Sequence, residues 1–136
     1  MRSIITLLLS MCACSASQAG ADAYFCEIQY RVGFGGDGRP QLTLQEPVTG
    51  DPTLNRFSID RKIGKKVGGP FGTFQDQIGN VLAKGNSQSS FISTWQGPAA
   101  GDGVHFDLLR VEEFHVGLKK PFVAIAGGFV YSGVCD

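Results

Sequence analysis

The sequence predicts an all-β domain: a small antiparallel barrel or sandwich of about seven or eight strands, its N- and C-terminal strands linked by a disulfide. Three observations carry this. Apolar and polar residues alternate at period two from Tyr24 to Phe34. Short apolar runs are separated by clusters of Gly, Pro, Asp and Asn. No window shows a helical period with caps.

Residues 1–23 read as a secretory signal. Arg2 supplies the positive start, Ile4 to Met11 the apolar core, and SASQAGADA the small residues before a cleavage point. Cuts after Ala19 and after Ala23 both fit; the strand pattern from Tyr24 favours Ala23. The apolar core is far shorter than the ~20 residues of a spanning helix, so no transmembrane segment is expected after cleavage. Acylation of Cys12 or Cys14 is the alternative, although Met11 before them fits that pattern poorly. Residues 24–136 are then a single β domain, periplasmic or secreted.

The strands follow in order. Tyr24, Cys26, Ile28, Tyr30, Val32 and Phe34 alternate with Glu27, Gln29 and Arg31. Leu42 and Leu44 alternate with Thr43 and Gln45, then Phe57, Ile59 and Ile63 with Ser58, Asp60 and Lys62. Further strands are expected over 74–83, 89–96 and 104–114. The last has a register change near Leu108-Leu109 and Glu112-Glu113 that predicts bulges. The run 121–135 reads as two strands, or as one bent at Gly127-Gly128.

Four cysteines are present, and Cys12 and Cys14 leave with the signal. Cys26 and Cys135 remain, and in an exported chain such a pair bonds. Closing a loop of about 110 residues stabilises a fold by roughly 4–5 kcal/mol in the chain-entropy model. The bond would set the first and last strands side by side or across the core. Side by side, it would close a barrel and remove two edges.

Charge excludes one class of partner. Lys and Arg total 12, as do Asp and Glu, and a neutral chain lacks the basic face that nucleic acid requires.

Motifs for chemistry are few. Gly33, Gly35 and Gly38 match G-x-G-x-x-G, but Arg39-Pro40 and a strand follow where a dinucleotide site needs a helix. Asp37 and Asp102 each stand alone in a turn, too few carboxylates for calcium. His105 and Asp107 share one side of a strand, with His115 ten residues on. Such a trio can bind zinc or act as an acid–base pair, yet the expected place for it is the solvated surface. Ser132 lies in no nucleophile elbow. No catalytic residue, metal ligand or cofactor site is therefore assigned.

Arg61, Lys62, Lys65 and Lys66 form the one dense basic cluster. It is a candidate contact for an anion or partner; the ordinary reading is a solvated hairpin tip with edge-protecting lysines. Trp95 reads as a core or rim aromatic, or as a residue facing a ligand.

The Tyr24-Phe25-Cys26 opening and Cys135 near the end resemble the frame of small periplasmic inhibitors of c-type lysozyme. That resemblance implies export and a compact β-barrel. The inhibitors carry S-G-x-x-Y with a nearby lysine. Here Ser132-Gly133 is followed only by Val134, Cys135 and Asp136, so no inhibitory residue carries over.

The expected function is a non-enzymatic exported domain that binds a protein or an anionic envelope component. An inhibitor of a hydrolase, such as a lysozyme or protease, is the alternative, with GKKVGGPFG and GPAAGDG as plugging loops. A hydrolase using His105 and Asp107 is more distant.

Overall fold

The computed structural model describes residues 22–34, 37–44, 52–69, 77–98 and 104–136. Residues 1–21 of the signal read over 1–23 lie outside these, as do residues 70–72 of GKKVGGPFG and 99–103 of GPAAGDG, Asp102 among them. Among the described residues the chain is all-β, with nine antiparallel strands in one curled half-barrel sheet. In chain order they are β1 (Ala23–Phe34), β2 (Pro40–Leu44), β3 (Arg56–Asp60), β4 (Lys66–Gly68), β5 (Asn80–Asn86), β6 (Ser89–Pro98), β7 (Val104–Val111), β8 (Lys120–Ala126) and β9 (Phe129–Cys135). A 3-10 turn, Pro52–Asn55, leads into β3.

Spatially the order is β4-β3-β1-β9-β8-β7-β6-β5. The long alternating β1 is shared. Its first half pairs with β3, its second half with β2, and β9 takes the other edge. Cys26 stands directly opposite Cys135 in the β1–β9 ladder, and the two are bonded. The first and last strands therefore lie side by side in the middle of the sheet, and the two ends of the ladder are β4 and β5. The disulfide staples the centre of the sheet and does not close a barrel.

Alternation decides what is inside, because successive side chains leave opposite faces of a strand. The core takes Tyr24, Cys26 and Ile28 from β1, Phe57 and Ile59 from β3, and Phe91 and Trp95 from β6. Leu109 and Val111 join from β7, Phe122, Ala124 and Ala126 from β8, and Tyr131 and Cys135 from β9. The curl brings the two arms together. Tyr24 on β1 meets Phe91 on β6 edge to face at 5.3 Å, and Phe57 on β3 meets Phe122 on β8 at the same separation. Fully burying side chains of this size is worth about 1.5–3 kcal/mol each.

The first of the two readings of the run 121–135 holds, and three other strand expectations need correction. The run 121–135 is two strands, and Gly127 and Gly128 (φ 57° and 81°) form the tight hairpin turn between β8 and β9. β7 carries no bulge against β6. It pairs without a shift from Val104 to Val111 and ends before Glu112. The shifts fall at Ile28/Tyr30 on β1 and Val81/Ala83 on β5. The apparent break in β7 came from treating Asp107 as an outward residue. β5 spans Asn80–Asn86, later than the 74–83 expected, and β4 emerges from a segment read as a turn.

Candidate functional site

The open seam between β4 and β5 is fastened by the turn that joins β3 to β4. Asp60 organises that turn. Its Oδ1 accepts from the backbone N–H of Lys62 at 2.7 Å and of Ile63 at 3.0 Å. These bonds, that to Ile63 first, hold the Asp60 carboxyl below its ordinary range. Gly64 then presents its carbonyl across the seam. It accepts from Trp95 Nε1 at 3.1 Å and from the Gly79 N–H at 3.2 Å.

Two members of the basic cluster, Arg61 and Lys66, serve the same task. Lys66 and Asp107 were expected at the solvated surface; both are buried, at 2% and 4% exposed. Lys66 lies opposite Ile59 on β3, and Asp107 continues the inward series of Leu109 and Val111 on β7. Lys66 Nζ donates to Asp107 Oδ2 at 2.9 Å and sits 4.5 Å from the centre of the Trp95 ring. Burial pushes the Lys66 ammonium below its usual pKa, and the bond to Asp107 offsets part of that. Arg61 bonds the Lys84 carbonyl on β5 at 3.3 Å, pairs with Glu113 at 3.3 Å and lies over the Tyr24 ring. Lys62 pairs with Asp22 at 2.9 Å in solvent, and Lys65 is half-buried. Arg61 and Lys66 thus reach across the seam, while Lys62 stands in solvent beside Asp22.

The space beside Lys66 is small. A cavity of about 10 Å³ is lined by Phe57, Lys66, Trp95, Asp107 and Leu109, among others. That admits roughly one water molecule.

His105 shares the inner side of β7 with Asp107 and is half-buried. His115 is exposed in the 112–119 loop, beyond the other end of the strand. About 20 Å of extended chain separates those ends, so the two imidazoles do not meet. Among the described residues, no group of three His, Cys, Asp or Glu side chains is placed to hold a metal. Trp95 is a core residue, its ring buried and its N–H spent on Gly64. Asp37 bonds the Arg39 N–H within the β1–β2 turn.

The larger concavity lies on the outer face, beside the disulfide. It is an open groove of about 610 Å³. Register explains its floor: Phe25 pairs with Ser58, and Ser58 with Val67, so three outward side chains form one row across β1, β3 and β4. Phe25 is 64% exposed. Glu27 and Arg56 stand opposite each other on one side and pair at 3.8 Å, with Thr53 nearby. Asp136 exchanges backbone hydrogen bonds with Phe25 and pairs with Lys119 at 3.6 Å on the other side. An aromatic floor between two pairs of opposite charges suits an elongated amphipathic ligand. Sequence reasoning missed this groove because it depends on cross-strand register. The one available signal was Phe25, a large aromatic at an outward position of β1.

No family model, no curated protein and no solved structure matches the chain. Among the described residues no helix is long and apolar enough to cross a membrane. The disulfide fits an oxidising compartment.

Proposed function

We propose that this chain is an exported, non-enzymatic binding domain whose partner is an extended, amphipathic protein segment seated in the groove over Phe25, Ser58 and Val67. The observation that carries the reading is the contrast between the two concavities. The charged chemistry of the interior is consumed in closing the seam, around a space the size of one water. The outer groove is large enough for a ligand and offers an exposed aromatic between charged rims.

Export rests on the signal-like residues 1–23 together with the disulfide. The contacts of Asp22 and Ala23 favour the earlier cut, after Ala19. Asp22 accepts from the Arg61 N–H at 2.9 Å, and Ala23 pairs with Asp60. N-terminal sequencing of the exported protein is expected to read Gly20 first; Tyr24 would restore the later cut, and a blocked Cys12 or Cys14 the lipoprotein alternative.

The binding test is nuclear magnetic resonance with a set of unstructured peptides, each carrying an aliphatic or aromatic residue between opposite charges. Shifts are expected at Phe25, Ser58, Val67 and Arg56, and are expected to vanish in Phe25→Ala and Arg56→Glu. Both side chains are exposed, so both variants should stay folded, each at a cost of about 1 kcal/mol or less from the lost strand preference of Phe25 or the like charge set opposite Glu27. Shifts that cluster at His105, or cleavage of a peptide that His105→Ala abolishes, would put the hydrolase reading in its place.

A further inference from the structure

The 112–119 loop, which shares only Lys119 with the groove, carries an arrangement that the fold does not use. Its root is pinned. Glu112 N–H donates to the Pro121 carbonyl at 2.8 Å, and His115 N–H donates to the Glu112 carbonyl at 3.0 Å. Glu113 accepts from the Tyr24 hydroxyl at 2.7 Å and pairs with Arg61. Lys120 Nζ reaches back to the His115 carbonyl at 2.6 Å. From this root the tip projects apolar side chains into solvent: Val116 is 98% exposed, Leu118 91% and Phe114 44%. Lys119 and Lys120 follow directly.

We infer that this loop is a membrane-interface anchor, which dips Val116, Leu118 and Phe114 into the headgroup boundary of a bilayer containing anionic lipid while the exposed Lys119 meets the phosphates. Two points favour a bilayer over a protein. A standard protein interface buries about 800 Å² on each partner, which a narrow loop tip does not supply; a bilayer demands no matching shape. The juxtaposition of an apolar tip with a lysine at its base is also the pattern that combines acyl-chain burial with attraction to anionic headgroups. A loop with a pinned root presents the tip without collapsing onto it.

The test is co-sedimentation of the exported protein with vesicles of phosphatidylcholine, alone or mixed with phosphatidylglycerol. Its N-terminus is checked by mass and kept identical across variants, so that Ile4 to Met11 does not account for any difference. The protein is expected to pellet with the mixed vesicles and less with the neutral ones. Val116→Asp/Leu118→Asp is expected to lower binding at least about tenfold with an unchanged melting curve, and Lys119→Glu to lower it on the anionic vesicles only. No binding of the wild type to either vesicle overturns the inference and leaves the loop to a protein partner. Equal binding of wild type and Val116→Asp/Leu118→Asp overturns it too.

Discussion

The indole N–H of Trp95, on β6, donates to the carbonyl of Gly64, in the turn after β3, across 3.1 Å and 31 residues of sequence. This bond joins the two arms of a sheet whose edge strands do not pair with each other. Gly64 is held there by geometry. Its φ is +65°, and an added Cβ would lie 2.6 Å from Ser93 Oγ and 3.3 Å from the Gly79 backbone.

Gly64→Ala is therefore expected to loosen the seam. The left-handed backbone alone costs a side-chain-bearing residue about 1–2 kcal/mol, and the displacement of Ser93 adds to it. Urea unfolding measures the loss as a lower midpoint at constant slope. The fluorescence of the sole tryptophan should shift to the red in the folded variant, as the indole gains access to water.

The staple acts on the unfolded chain. Cys26 and Cys135 enclose a separation of 109 residues. Replacing both by Ser is expected to lower stability by roughly 4–5 kcal/mol in the chain-entropy model. Intact mass before and after reduction and alkylation checks the bond: without reductant no thiol should be alkylated, and with it two.

Alkaline pH should weaken the fold through Tyr24. Burial, and then the hydrogen bond to Glu113, raise its phenol well above the ordinary 10.0, while Arg61 offsets part of the rise. The folded state thus keeps a proton that the unfolded chain releases. The stability this contributes is present in full below pH 10.0 and is lost as pH rises above it. Tyr24→Phe removes the ionisable group, so its stability should fall less steeply between pH 10 and 11 in a series of urea titrations.

Much of the fold was legible because alternation is a local signal. Tyr24, Cys26 and Ile28 declared the inner face of β1, and Cys26 with Cys135 declared that the termini meet. The candidate site was less legible for a physical reason. A lysine and an aspartate at inward positions look like outward residues, since each alone would be too costly to bury. Only their pairing across the seam makes Lys66 and Asp107 acceptable core residues, and that pairing depends on the curl of the whole sheet. The inward series Asp107, Leu109, Val111 was visible in the sequence; its first member was misassigned by polarity. The groove floor of Phe25, Ser58 and Val67 was hidden in the same way, because it is a row across three strands.

The most direct measurement is a double-mutant cycle on Lys66 and Asp107, read by urea unfolding. If the pair fastens the seam, Lys66→Met and Asp107→Leu should each cost about 3–5 kcal/mol, because each leaves one buried charge unpaired. The double variant should then cost far less than the two losses added, since two apolar side chains can fill the same space. Single losses within about 0.5 kcal/mol, adding without coupling, would mark both as the surface residues their polarity suggested and would contradict a seam closed by this pair.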